Sequence, residues 1–238
     1  MIQLGALENA VLCAGGGVSD DGNVIVGTCL TTAGNSAFRW TEGGGMVSLG
    51  QFGDGSNRTS NAIAIATDAK TIVGTGHPAL TEAVLWRSAD EVHILGWFPG
   101  DISGVATSVS SDGAIVVGYS TEPTLHQRAF RWSAQSGILP LASADRIFSD
   151  SIATAVSGNG KVIVGWGVTL NGEAAWIWDE VHGMRLIVDM LRADSKTLIP
   201  GWMLSRATGI SDNGATIVGA GINPDGQSEG WVLTLLTP

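Results

Sequence analysis

The 238-residue sequence predicts an all-β fold made of five copies of one four-stranded sheet, closed into a ring. Three observations carry this. A Val-Ile-Val-Gly-type run ends at Gly27, Gly74, Gly118, Gly165 and Gly219, and five residues before each stands a turn residue: Gly22, Ala69, Gly113, Gly160 or Gly214. Trp40, Trp86, Trp132 and Trp178 follow at intervals of 46, and Leu233 takes the fifth position. Finally, Met1-Ile2-Gln3-Leu4-Gly5 matches Met46-Val47-Ser48-Leu49-Gly50, while the fifth copy stops at Pro238 without a fourth strand of its own. A fixed period of this length marks a repeat architecture, and a ring of four-stranded blades is a β-propeller. The expectation is a five-bladed β-propeller with four-stranded blades, its ring closed by the N-terminal strand completing the last blade. It forms a single domain over 1–238, with blades near 10–50, 61–96, 106–142, 152–188, and 206–238 plus 1–5. A β-helix also repeats, but it has no reason to begin and end in one register.

Each strand has its own chemistry. The first strand of a blade carries small residues (Gly15 and Gly17, Ala62 and Ala64, Ala106 and Ser108, Ala153 and Ala155, Ala207 and Gly209), as strands crowded around a central axis require. The hairpin that follows, Ser110-Ser111-Asp112-Gly113-Ala114 in the third blade, fits a three-residue turn with a left-handed glycine. The preceding Asp21, Asp68, Asp112, Asn159 and Asn213 suit bonds to local amides, and one acid per turn is not a calcium cage. Strand three carries Trp40, Trp86, Trp132, Trp176, Trp178 and Trp231 at recurring positions, which assigns them to the packing between blades. Strand four follows with Met46, Val92, Ile138 and Met184, then Leu49, Leu95, Leu141 and Ile187. In the first hairpin a three-residue turn pairs Ser19 with Asn23, and the same ladder sets Cys13 opposite Cys29. A disulfide and two buried thiols both fit that placement.

Composition narrows the partners. The net charge of −10 disfavours nucleic acid and anionic membrane surfaces, which require basic patches. No apolar run approaches the length of a membrane span, so no membrane insertion is expected. The first 20 residues contain no Lys or Arg and no apolar core of usual length, so no signal peptide is read. A monomer is expected.

Loop lengths separate two faces of the ring. The one-to-two and three-to-four turns are short. The two-to-three loops and the crossovers between blades are longer and variable, and function concentrates on such loops. On this face Trp97, Trp166 and Trp202 lie outside the repeated core positions, and Tyr119 stands where Trp166 stands one blade later. They suit stacking on a ligand or packing of the crossovers. Every crossover also holds an acid: Glu8, Asp54, Asp101, Asp145 and Asp194. Five carboxylates at one rim fit a cationic group; each equally fits a loop-stabilising role. His77, His93, His126 and His182 occupy unrelated repeat positions without metal-ligand spacing, and no nucleophile elbow or phosphate loop appears. No catalytic residue, metal site or cofactor is assigned.

The alternation of Val-Ser-x-Asp-Gly-x-x-Ile-Val-Gly with Ala-Phe-Arg-Trp and Leu-Gly resembles the bacterial HAF-type extracellular repeat over essentially the whole chain. Ser36-Ala37-Phe38-Arg39-Trp40 and Arg128-Ala129-Phe130-Arg131-Trp132 match best, with Ser36 and Arg128 replacing the histidine of the family's name. The resemblance implies an exported or surface protein, in some cases an autotransporter passenger, and brings no catalytic residues. The combined expectation is an exported, non-enzymatic binding or scaffold module that meets a glycan or a protein surface on its loop-rich face. The alternative is a carbohydrate-active hydrolase using two of the rim acids.

Overall fold

The computed structural model describes residues 1–50, 52, 59–76, 80–88, 91–141, 147–193 and 200–235. Nineteen strands are arranged in five antiparallel sheets, each in chain order. Sheet one comprises β1 (Ala10–Val18), β2 (Val24–Thr31), β3 (Gly34–Thr41) and β4 (Gly45–Ser48). Sheet two comprises β5 (Ser60–Ile65), β6 (Ile72–Gly76), β7 (Glu82–Trp86) and β8 (Val92–Gly96). Sheet three follows with β9 (Ser103–Val109), β10 (Ile115–Thr121), β11 (Gln127–Ser133) and β12 (Gly137–Pro140). Sheet four has β13 (Asp150–Val156), β14 (Val162–Thr169), β15 (Gly172–Asp179) and β16 (Gly183–Leu186), then helix α1 (Ile187–Ala193). Sheet five has three strands, β17 (Met203–Ile210), β18 (Thr216–Ile222) and β19 (Ser228–Thr234).

The turn between the first two strands is a repeated polar device. Ser110 Oγ donates to Asp112 Oδ1 at 2.6 Å, Ala114 N–H donates to the same oxygen at 3.0 Å, and Ile115 N–H donates to Ser110 Oγ at 2.9 Å. Gly113 takes φ +70°, a conformation an L side chain resists. Ser157 with Asn159 and Ser211 with Asn213 repeat the same bonds. Deeper in the sheet, a Cβ added at Gly118 would collide with the carbonyl oxygen of Val105, which is why the run before it ends in glycine.

The hairpin register differs from the expectation. Ser19 N–H bonds Val24 O, not Asn23, so the loop holds one residue more than predicted. A bulge between Gly15 and Gly17 then shifts the ladder back by one, so that Cys13 still faces Cys29. The two cysteines are joined as a disulfide.

Apolar clusters lie between consecutive sheets. Val24, Val26 and Ala37 of sheet one bury against Ile72, Val84 and Trp86 of sheet two. Sheets two and three meet through Val73, Leu85, Val116 and Phe130, and sheets three and four through Val117, Ala129, Ile163 and Trp176. Sheets four and five meet through Val164, Ile177, Ile217 and Leu233, with Ile187 and Leu191 of α1 added. The strand-three rings Trp86 and Trp176 are fully buried, Trp40 is buried, and Trp132, Trp178 and Trp231 are half-buried, as interblade packing requires.

The closing strand is not seen. Residues 1–6 form no strand, and Met1 and Ile2 are exposed. Leu4 and Leu7 instead pack against the Cys29, Phe38 and Trp40 cluster of sheet one, a face that no preceding sheet covers. That apolar cluster gives the two leucines a half-buried site of their own, and among the described residues no strand pairs with the outer edge of β19.

Candidate ligand-binding face

The crossovers and the loops between strands two and three share one rim, but not all are as long as expected. Thr32-Ala33 and Leu170-Asn171 are two-residue hairpin loops, shorter than the turns between strands one and two. Two arginines are fixed on this rim by different seams. The first is Arg128, at the start of the Ala-Phe-Arg-Trp segment in β11. Its Nη2 lies 2.5 Å from Asp101 Oδ1, and its Nε lies 3.1 Å from Glu122 Oε1. Its guanidinium stands 4.9 Å from the centre of the Phe98 ring, so a carboxylate pair and an aromatic face together limit its freedom. The Asp101 side chain is 2% exposed and also accepts a 2.5 Å hydrogen bond from Ser120 Oγ, while Arg128 is 42% exposed. The acid is buried and the cation is presented to solvent.

Beside it, His126 and Gln127 reach across to sheet four. Gln127 N–H donates to Asp150 Oδ1 at 2.9 Å, and His126 Nδ1 lies 3.2 Å from Asp150 Oδ2. Burial alone would raise the Asp150 pKa, but the hydrogen bonds from Gln127, His126 and Ser149 outweigh it and hold the carboxyl below its ordinary value. Glu122, His126, Arg128, Phe148 and Met184 line a cleft of about 470 Å³ between sheets three and four. Its walls are mixed, with Glu122, His126 and Arg128 supplying polar groups and Phe148 and Met184 apolar area.

The second arginine is Arg206 of β17. It pairs bidentately with Glu173 of β15, and its guanidinium lies 4.1 Å from the centre of the Trp166 ring. The hydrogen bond from Arg206 is the main cause that holds the Glu173 carboxyl below its ordinary value.

The expected rim residues therefore fall into separate groups. Asp101 joins Arg128, with Trp97 in the same crossover and half-buried, and with Tyr119 preceding Ser120 in β10. Tyr119 is half-buried, and burial pushes its hydroxyl pKa up. Trp166 lies under Arg206, while Trp202 packs into the cluster between sheets four and five. Glu8 stands apart and exposed beside Asn9, Thr31 and Thr32. Asp54, Asp145 and Asp194, like His77, lie outside the described residues. Sequence reasoning passed over Arg128, Arg206, Glu122 and Glu173. Arg128 had one signal, its place at a family-marked position. Arg206 and Glu173 had none, because the packing of sheet five against sheet four brings them together from 33 residues apart. Among the described residues no group of three or more His, Cys, Asp or Glu is placed to hold a metal ion, and no helix is long and apolar enough to cross a membrane.

The fold these elements define is a β-propeller. The chain is similar to the β-propeller domain of the Trilobed protease from Pyrococcus furiosus, described as having an open velcro topology, at 12% identity and a TM-score of 0.59 over 95% of this chain and 69% of that one. It is also similar to TolB from Acinetobacter baumannii, at 14% identity and a TM-score of 0.60 over 91% of this chain. A TolB-like structure from Agrobacterium tumefaciens matches at 10% identity and a TM-score of 0.62, over 94% of this chain and 77% of that one. The chain spans about half the length of the Acinetobacter protein, 51%. No family model and no curated protein matches it. At these identities the likeness concerns fold alone.

Proposed function

We propose that the chain is a propeller of five blades, exported from the cell, that works as a non-enzymatic binding or scaffold module of the HAF-repeat type. Its ligand, a glycan or a protein surface, is met on the loop-rich face. The observation that carries this reading is the pair of immobilised arginines, Arg128 over Phe98 and held by the buried Asp101, and Arg206 over Trp166 and held by a bidentate pair with the exposed Glu173. An arginine fixed in this way loses little freedom on binding, and such residues dominate recognition surfaces. The Cys13–Cys29 disulfide supports an oxidising compartment, hence export.

The test is a glycan-array screen of the folded chain, with Arg128→Ala, Arg206→Ala, Trp97→Ala and Trp202→Ala run in parallel. Saturable binding that falls about tenfold or more in an arginine variant, the scale of a lost anchor, supports the reading. Binding untouched by both arginine variants overturns this placement of the site. No binding to any glycan removes the glycan arm and leaves a protein surface as ligand.

A further inference from the structure

Each of the first four sheets turns one face to the sheet that follows, and that face is buried. Val26, Val73, Val117 and Val164 hold the same position there, and each is 0% exposed. Val218, the same residue at the same position in sheet five, is 44% exposed. One strand over, Leu85 and Ile177 are 1% and 2% exposed, but Val232 at their position is 69% exposed. Sheet one shows the complementary loss on the face turned backward. Val109 and Val156 are 9% and 7% exposed, whereas Val18 at their position is 58% exposed. Ile25 is only half-buried, where Ile72, Val116, Ile163 and Ile217 are all at 1% or less.

The polar contacts tell the same story. Thr107 Oγ1 donates to Ala153 O of the next sheet at 2.7 Å, and Thr154 Oγ1 donates to Ala207 O at 2.8 Å. Thr208, next in that series, reaches only Val218 O of its own sheet, at 3.4 Å. The acceptor it lacks corresponds by register to the Gly15 carbonyl. On the turn face, Ser111 N–H bonds Gly158 O and Gly158 N–H bonds Asp212 O, both at 2.9 Å, and the series ends at Asp212.

We propose that the Val218–Val232 face of sheet five is a docking surface for a second copy of this chain, which presents the Val18–Ile25 face of its sheet one. The occupant follows from continuity with an interface the molecule already makes four times. Both halves of the fifth interface carry apolar residues like those of the other four. Sheet five keeps the threonine donor used at two of them, for which the crowded small-residue strand of sheet one supplies an acceptor. Leu4 and Leu7 cover the Cys29 and Phe38 end of sheet one and leave Val18 open. The interface is head-to-tail, so every bound copy still offers one free face, and the assembly is a ring of copies or an open filament. Such an assembly replaces the monomer expected from sequence.

The experiment is sedimentation velocity across a concentration series, with circular dichroism to verify folding. The wild-type chain is expected to rise from single-chain mass to multiples of it. Val218→Asp alone and Val18→Asp alone should each remain at single-chain mass, and Val232→Lys provides a second block on sheet five. An equimolar mixture of Val218→Asp and Val18→Asp should give a one-to-one pair and nothing larger, because each variant keeps the face the other has lost. A wild type that stays at single-chain mass overturns the proposal; protection of the Val18 and Val218 amides from exchange would then identify the chain's own first sheet as the cover. Oligomers that survive in both single variants overturn it as well.

Discussion

The seam between sheets four and five and the gap between sheets five and one offer the same chemistry in two states. At the seam, Val164 is fully buried, Ile177 is 2% exposed, and Thr154 bridges to Ala207. At the gap, Val218 and Val232 face solvent and Thr208 has no bridge among the described residues. The residues at the corresponding positions are of one type, so local sequence does not account for the difference; the presence of a following sheet does. Stability in such a repeat is a sum of sheets and the interfaces between them, and among the described residues there is one interface fewer than there are sheets.

Equivalent substitutions on the two sides should therefore differ most where burial differs most. Ile177→Ala removes a buried side chain and should cost about 2–5 kcal/mol. Val232→Ala, at the same position in sheet five, should stay within about 0.5 kcal/mol. Denaturant midpoints of the dilute protein check both, and equal costs would break the comparison.

The hydroxyl bridge gives a smaller contrast. Thr154→Val leaves the Ala207 carbonyl without its donor and should cost about 1 kcal/mol. Thr208→Val should cost almost nothing, as read by the same midpoints.

The turns provide the smallest and most pH-specific effect. The Asp112 carboxyl is held below its ordinary value, first by the Ser110 hydroxyl and then by the Ala114 amide. A lowered folded-state pKa means that the contribution is complete above the ordinary carboxylate range and is lost as pH falls through the lowered value. Asp112→Asn keeps the acceptor oxygen, as Asn159 and Asn213 do, but removes the proton. Stability measured between pH 7 and pH 3 should lose less than about 0.5 kcal/mol of its pH dependence in this variant, after solvent screening. An unchanged pH profile would show that the Asp112 turn is inert.

Much of the fold is legible in the sequence because the period of the repeat is set by steric necessity. Gly118 lies against a carbonyl, Gly113 takes a positive φ, and Trp86 and Trp176 fill a seam, so drift at these places is costly. Local length is less legible. The first hairpin loop is one residue longer than its Asp-Gly signal implies, and the bulge at Gly16 compensates, as bulges at Ile63, Thr107, Thr154 and Thr208 do in the other sheets. Helix α1 was not expected, although Ile187 and Leu191 have helical spacing and both are buried, because the repeat reading assigned Ile187 to strand four. In place of the expected N-terminal strand, Leu4 and Leu7 pack on the apolar cluster around Cys29, a competing partner the repeat did not announce. The arginine sites depended on pairs such as Arg206 with Glu173, which only the packing of one sheet on the next brings together.

The central claim is that one interface type is occupied at four places and bare at the fifth. Thermal unfolding of Val164→Asp and Val218→Asp, compared at a concentration where the chain is monomeric, tests it most directly. Burying an unpaired carboxylate is a severe penalty, so Val164→Asp should abolish cooperative unfolding or lower the midpoint drastically, while Val218→Asp should unfold close to wild type. A comparable collapse of both variants would contradict the account, since it would mean that Val218 is covered within the single chain.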